Sequence, residues 1–397
     1  MTRSLDKTDP ASPNSSDEDS ERKDAPCPIV EIGASAGGIA ALQKFFPGVR
    51  PDSGLAYVVI QHLDADHKSE LASIIQRSAE LESEVVEGET AIEPNRIYVI
   101  PPGSSMTVKD CCLHLTKMQD GRSKRTPIDD FLISLAEDQG ENAAGVILSG
   151  TGSDGTMGLR AIKEQGGLTL AQESAEYDGM MRSAVQTGLV DMVLPAEDMA
   201  AKLVDYFKHV IRVSDEKKQR ALRRDTADQL SRIAALLRTR TGHDFSGYKD
   251  NTIQRRIQRR MQVLQIDDAA AFYERLREDP QQADLLFQDL LIGVTSFFRD
   301  PQAFEHLERS VIPKLFEHRK PDETIRIWVP GGATGEEAYS LAMLLRENSP
   351  KGAAAPSLQI FATDIDERFP GGRTGGPLSG CHRAGCIAEE AAGVLLA

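Results

Sequence analysis

The chain has 397 residues, enough for two or three domains, and its 40% apolar and 27% charged content is that of a soluble globular protein. Its 61 acidic against 46 basic side chains give a net charge of −15, which excludes non-specific nucleic-acid binding by the chain as a whole. No apolar run reaches the roughly 18 residues of a membrane span, and Met1-Thr2-Arg3-Ser4-Leu5-Asp6 lacks the apolar core of a signal peptide.

Residues 1–26 are rich in Ser, Asp, Glu and Pro and cannot bury a core, so they are expected to form a disordered tail. Five scattered cysteines (Cys27, Cys111, Cys112, Cys381, Cys386) make neither a disulfide framework nor a zinc spacing with histidines. The expectation is a cytoplasmic protein with free thiols and no metal. From residue 28 to about 194 strands and helices alternate. Strands are predicted at 28–33, 55–61, 96–100, 143–149, 168–172 and 190–194, and helices at 39–46, 69–79, 127–139 and 157–165. Apolar strands separated by amphipathic helices indicate α/β architecture, a doubly wound, mostly parallel sheet covered on both faces. In such folds the active site lies at the carboxyl ends of the strands.

Three residues stand at such ends. Ser35 follows the first strand in Gly33-Ala34-Ser35-Ala36-Gly37-Gly38, just before a helix. His62 ends the second, and Asp154 follows the strand that leads into Gly150-Thr151-Gly152-Ser153-Asp154-Gly155. One sheet edge thus collects a nucleophile, a base and an acid that orients the base. Singly, each has a plainer explanation: Ser35 as a helix cap or part of a phosphate cradle, His62 as a hydrogen-bonded histidine, Asp154 as a cap. His67 is a second candidate base. Coincidence at three strand ends favours the triad.

These motifs, together with Met181-Arg182-Ser183-Ala184 and Val190-Asp191-Met192-Val193-Leu194-Pro195, resemble the catalytic domain of the bacterial chemotaxis methylesterases (CheB-type) over residues 27–211. The resemblance implies hydrolysis of γ-glutamyl methyl esters on methyl-accepting chemotaxis-type receptors, with glutamine deamidation beside it. It casts Ser35 as nucleophile, His62 as base and Asp154 as orienting acid, with Ala36, Gly37 and Thr151 at the oxyanion and substrate pocket. It implies no cofactor for the esterase. Ala36 stands where many members have Thr, and Thr151 where many have Met. The receiver domain that often precedes this domain is not found before Cys27.

Residues 212–240 read as a charged helical linker. Within 217–260, thirteen Lys and Arg face four Asp and Glu, a local +9. Ile253, Ile257 and Met261 mark an apolar stripe, and Arg255, Arg256, Arg259 and Arg260 fall away from it. Such a helix can present a basic face to an acidic partner, or simply be a solvated helix. No aromatic interleaving supports nucleic acid.

Further on, Ile325-Arg326-Ile327-Trp328-Val329-Pro330-Gly331-Gly332-Ala333-Thr334-Gly335-Glu336-Glu337 reads as strand, Gly-rich turn and helix, and Ile360-Phe361-Ala362-Thr363-Asp364 as a second strand ending in a carboxylate. A nucleoside cofactor needs such a pair. With Val294-Thr295-Ser296-Phe297-Phe298-Arg299-Asp300 the set resembles the chemotaxis receptor glutamate methyltransferases (CheR-type) from about 225 to 367. That resemblance implies a small all-α domain at 241–305, whose basic helix recognises receptors, and a Rossmann-like domain at 306–367 for S-adenosyl-L-methionine. Thr295, Arg299, Gly331, Glu336, Glu337 and Asp364 would line the cofactor site. Gly332 replaces a residue that is commonly Cys or Ala. Residues 368–397 lose the pattern, and the expectation is an incomplete transferase lobe followed by an unstructured tail. The leading reading is a methylesterase fused to a truncated, inactive methyltransferase. The alternatives are a two-headed esterase and transferase, or a receptor-docking protein without catalysis.

Overall fold

The computed structural model describes residues 27–62, 70–117, 126–213, 216–245, 247–291, 297–320, 323–333, 335–350, 356–364 and 385–386. The N-terminal tail, His67, Thr295 and most of 368–397 lie outside the described residues. The chain forms two compact units: one holds residues up to Thr226 with Gln258–Ala269, the other Ala227–Ile257 and the residues from Ala270.

In chain order the first unit contains β1 (Ile29–Ala34), α1 (Gly38–Phe45), β2 (Ala56–Gln61), α2 (Leu71–Gln76), β3 (Glu82–Val85), β4 (Thr90–Ala91), β5 (Arg96–Val99), β6 (Ser104–Lys109), β7 (Cys112–Lys117), α3 (Pro127–Gln139), β8 (Ala143–Ile147), α4 (Thr156–Glu164), β9 (Leu168–Gln172), α5 (Gly179–Gln186), β10 (Met192–Leu194) and α6 (Ala196–Val213). Seven strands form one sheet in the order β10-β9-β8-β1-β2-β5-β3, and every pairing in it is parallel. The central strands are buried on both faces, as their unbroken apolar runs require. On one face Val30, Ile32 and Ala34 pack with Leu42, Phe45, Met199, Leu203 and Phe207 of α1 and α6. On the other, Ile29, Val58 and Ile147 pack with Ile128, Phe131, Leu132 and Leu159 of α3 and α4.

All six predicted strands lie in this sheet. The seventh, β3, is a charged edge strand whose Glu82 and Glu84 reach Arg96 on β5, a composition that hides its strand character. A second, antiparallel sheet in the order β4-β7-β6 was not predicted. Its hairpin turns at Asp110-Cys111, with φ of 51° and 57°. A two-residue turn of this hand ordinarily advertises itself by Gly or Asn. Here the Asp138 carboxylate on α3 accepts from the Asp110 and Cys111 N–H groups, at 2.6 and 3.1 Å, and holds the turn instead.

Beyond α6 come α7 (Glu216–Thr241), α8 (Asp250–Leu264), α9 (Ala269–Glu278), α10 (Pro280–Leu290), α11 (Pro301–His306), α12 (Ile312–Phe316), β11 (Thr324–Pro330), α13 (Glu336–Glu347) and β12 (Ser357–Thr363). The latter half of α8 belongs to the first unit. In the second unit β11 and β12 pair in parallel from Thr324↔Ser357 to Pro330↔Thr363, and Val329 and Ile360 pack with Ala338, Leu344 and Leu345 of α13. The tail expected to lack structure contributes a two-residue strand, β13 (Gly385–Cys386), antiparallel to Phe361 and Ala362. Among the described residues no helix is long and apolar enough to cross a membrane.

Candidate active site

β1 ends at Ala34 and the chain turns through Ser35, Ala36 and Gly37 into α1. Gly37 makes the turn at φ 74°, where a Cβ would stand 2.6 Å from Ser149 Oγ, so both backbone and space call for glycine. The turn is pinned to the neighbouring strand end: Ser35 N–H donates to the Ser149 carbonyl at 2.9 Å, and the Ser149 hydroxyl donates to the Ala36 carbonyl at 2.9 Å. Gly150 lies against the serine itself, for a Cβ there would sit 3.0 Å from Ser35 Cβ. The N–H groups of Ala36 and Gly37 donate to nothing among the described residues.

His62 follows β2, whose parallel pairing with β1 sets Gln61 opposite Ala34. Its ring bridges the two other residues, with Nδ1 3.1 Å from Ser35 Oγ and Nε2 2.8 Å from Asp154 Oδ2. The nitrogens are used in the reverse sense to the serine-protease template, which leaves the chemistry intact. One nitrogen faces the hydroxyl and the other the carboxylate. The His62 side chain is 31% exposed and that of Asp154 6%, so the imidazole meets solvent while the carboxylate is sealed. Asp154 accepts backbone N–H groups from Ile128, Asp129 and Gly155 at 3.1, 3.0 and 2.9 Å. The first two belong to the N-terminal turn of α3, which offers free N–H groups and a positive dipole end to a carboxylate.

Two further carboxyls lie behind this pair. Asp129 is buried and accepts the Gly158 N–H at 2.7 Å. Burial first, and then the Asp154 charge, push its carboxyl up to about 6. Glu31, on β1, is wholly buried. Burial raises its carboxyl well above the usual range, and the charges of Asp154 and Asp129 act in the same direction.

Thr151 is exposed on the loop between β8 and Asp154. Ser149, Tyr177 and Met180 were not anticipated as neighbours of the serine turn. Tyr177 Cδ2 and Met180 Sδ would meet Cβ atoms on Gly37 and Gly150 at 3.0 and 2.1 Å. Ser149 directly precedes the motif that drew attention to Asp154, but its contact to the serine turn is made between strands and leaves no spacing signal.

The basic face expected on α8 is not formed as predicted. Arg255 is exposed and Arg256 half-buried, but Arg259 and Arg260 are 3% and 2% exposed. Arg259 donates to Asp191 Oδ2 at 2.5 Å and to the Gly167 carbonyl at 2.6 Å, and Lys163 Nζ lies 3.2 Å from Asp191 Oδ1. Burial alone would raise the Asp191 carboxyl; Arg259, Lys163 and Arg260 outweigh it and hold it far below the usual range. A helical-wheel reading assigns charge to solvent by default, and the buried carboxylate that draws these arginines inward lies nearly 70 residues away.

In the second unit the Gly-rich turn and the carboxylate converge. β11 and β12 end side by side, Gly331 and Gly335 take φ of 68° and 101°, and Asp364 Oδ2 accepts the Ala333 N–H at 2.8 Å. A Cβ on Gly331 would meet nothing within 4 Å. α13 begins at Glu336, and Phe298 N–H donates to Ser340 Oγ at 2.9 Å, which ties the segment bearing Arg299 to that helix. An open turn beside a carboxylate at the ends of parallel strands suits a nucleoside cofactor.

The first unit is thus of the class of parallel α/β proteins that bring a serine, a histidine and an aspartate into one hydrogen-bonded row at the carboxyl edge of the sheet. Residues 30–203 match the CheB methylesterase family, 228–291 the all-alpha domain of the CheR methyltransferases, and 293–369 their SAM-binding domain. A Rhodobacter capsulatus protein, called an uncharacterized 104.1 kDa protein in the hypE 3' region, is 37% identical over 317 residues, 75% of this chain and 33% of its own length. The protein-glutamate methylesterase/protein-glutamine glutaminase of Moorella thermoacetica is 36% identical over 183 residues, 44% of this chain and 43% of its own. A Leptospira interrogans relative, whose name proposes the same two activities, is 33% identical over 174 residues, 43% of this chain and 90% of its own. The crystal structure of the Thermotoga maritima CheB methylesterase catalytic domain superposes with a TM-score of 0.42 at 27% identity, over 46% of this chain and 99% of that one. The chain belongs to the CheB methylesterase family, with CheR-type domains following in the same polypeptide. It spans a third of the Rhodobacter relative and less than half of the Moorella one.

Proposed function

We propose that the first unit hydrolyses γ-glutamyl methyl esters on methyl-accepting chemotaxis-type receptors in the cytoplasm, with glutamine side chains as second substrates. The observation that carries this reading is the single imidazole of His62, held between Ser35 Oγ at 3.1 Å and Asp154 Oδ2 at 2.8 Å. In this mechanism Ser35 Oγ attacks the ester carbonyl while His62 takes its proton. The oxyanion that forms is met by the unused N–H groups of Ala36 and Gly37 at the start of α1. Asp154 keeps the imidazole oriented and stabilises the imidazolium. The C–O bond to the methoxy group then breaks, His62 returns the proton, and methanol leaves. Water, deprotonated by His62, attacks the acyl-serine and releases glutamate and free Ser35.

Release of methanol from methylated receptor membranes by the full chain is the expected activity. Ser35→Ala should lower it by about 10⁶-fold and Asp154→Asn by about 10⁴-fold. Unchanged release from the Ser35→Ala chain rejects the reading.

For the second unit we infer a site for S-adenosyl-L-methionine. Asp364 would receive the ribose hydroxyls, the Gly331–Gly335 turn would face the adenosyl group, and Arg299 with Glu336 or Glu337 would take the carboxylate and amino group. When bound, the cofactor supplies an activated methyl group. The convergence of turn and carboxylate at adjacent strand ends supports this assignment.

A further inference from the structure

Glu31 is the only ionisable side chain of β1, and it is fully buried four residues before the serine. Neither of its carboxyl oxygens has a hydrogen-bond partner among the described residues. The strands on either side, β2 and β8, set Val58 and Gly145 opposite it, and their one ionisable side chain, Tyr57, packs against Phe45 and Phe46 in the core on the other face. Its Oε1 lies beside Gly33, where a Cβ would stand 3.2 Å away and only 2.7 Å from Ile128 Cγ2. Ile128 is the residue whose N–H holds Asp154. The ionisable groups on the helices over this face are Asp129 and Asp130 near the start of α3, Glu137 and Asp138 near its end, Arg182 on α5, and Asp154 ahead of α4. On α4 itself are Arg160, Lys163, whose ammonium is taken by Asp191, and Glu164. The charges that act on Glu31 are those of Asp154 and Asp129, both negative.

Three carboxyls therefore share the interior behind His62, and their donors are unequal. Asp154 has three backbone N–H groups and the imidazole, Asp129 has the Gly158 N–H, and Glu31 has none. A buried carboxylate is tolerated in proportion to the donors that replace water. Negative charge is therefore allotted first to Asp154, then to Asp129 and last to Glu31.

We propose that Glu31 is a positioning residue of the esterase that acts through Asp154: it stands as a neutral acid and limits the negative charge behind His62 to that of Asp154 and Asp129. The inference rests on the esterase reading given above. A third charge would draw a proton onto Asp154, which could then no longer orient the imidazole. It would also stabilise the imidazolium to the point of withholding the proton that the departing methoxide needs.

Glu31→Gln in the full chain keeps the shape of the neutral acid and removes the ionisation. The ratio of kcat/KM for methanol release, variant over wild type, should rise with pH, reaching about tenfold at the alkaline end. A ratio that does not change with pH overturns the proposal, because loss of packing alone would lower activity equally at every pH. Should Glu31→Gln fail to fold, Glu31→Met is neutral, of similar volume, and answers the same comparison. A second arm does not depend on turnover. In the Ser35→Ala chain at neutral pH, infrared spectroscopy should show the C=O stretch of a protonated carboxylic acid that vanishes in Ser35→Ala/Glu31→Gln. Absence of that band overturns the neutral acid. Absence of methanol release from the wild-type chain, with the band present in Ser35→Ala, rejects the esterase reading instead.

Discussion

Asp129 shows how closely the site is coupled to its protein. It is buried beside Asp154, and its carboxyl is raised from the ordinary 3.8 to about 6, mainly by burial. A carboxyl raised on folding favours the protonated native state, so its contribution to stability is full below about pH 4 and lost as pH climbs through about 6. The shift corresponds to a loss on the order of 2–3 kcal/mol. Asp129→Asn keeps an oxygen for the Gly158 N–H and cannot ionise. The difference in melting temperature, variant minus wild type, should therefore grow from pH 4 to pH 7. A difference that stays flat across that range would show that Asp129 does not titrate there. Of the residues around this point, Ser35, His62 and Asp154 are legible in sequence because each directly follows an apolar strand. Asp129 is not, since acidic residues in a first helical turn are ordinary. Glu31 was legible in principle: a lone acid in an otherwise apolar strand of a sheet covered on both faces must be buried. Its meaning depends on α3, which is nearly 100 residues further on.

Helices carry the lesson at the next scale. α3 was predicted over the span it occupies, but its two services, N–H groups for Asp154 and the Asp138 carboxylate for the Asp110-Cys111 turn, are tertiary and invisible to periodicity. α8 shows the opposite failure. Its apolar stripe of Ile253, Ile257 and Met261 is buried as the spacing implies, yet Arg260, at the edge of that stripe, and Arg259, on the opposite face, are buried too. A buried ion pair that loses one partner leaves the other charge uncompensated, at a cost of about 3–5 kcal/mol. Lys163 remains near Asp191, so Arg259→Met should cost about 3 kcal/mol, the lower end of that range. Arg255→Met, one turn earlier on the same helix at an exposed position, should change stability by about 0.5 kcal/mol or less. The double variant Asp191→Asn/Arg259→Met should be less destabilised than the sum of its parts, since the two share one interaction. Denaturant unfolding followed by loss of methanol release measures these three chains, Asp191→Asn and the wild type. Equal effects of Arg259→Met and Arg255→Met would place both guanidinium groups in solvent and return α8 to the surface-helix reading.

Across the whole molecule, each candidate site is assembled inside one compact unit. Ser35, His62 and Asp154 belong to the first, and Arg299, Gly331, Glu336, Glu337 and Asp364 to the second. The α/β class of the chain follows from alternating strand and helix patterns, whereas the claim of Gln258–Ala269 by the first unit rests on pairing across the chain and has no local signal. The second unit's reading depends on Asp364, which does two things at once. Its Oδ2 accepts the Ala333 N–H and closes the Gly-rich turn, and its carboxylate charge would receive the ribose hydroxyls. Asp364→Asn separates the two roles, because the amide oxygen can still accept from Ala333 while the charge and one acceptor are lost. Hydrogen bonds to a charged group contribute about 1.5–3 kcal/mol, which converts to roughly a ten- to hundredfold weaker Kd. Calorimetry of the full chain with S-adenosyl-L-methionine should show stoichiometric binding, weakened to that extent in Asp364→Asn, with methanol release in the same sample certifying the fold. Equal affinity in the two chains would mean that Asp364 serves the turn alone. No binding by a chain that still releases methanol would leave the second unit without its cofactor.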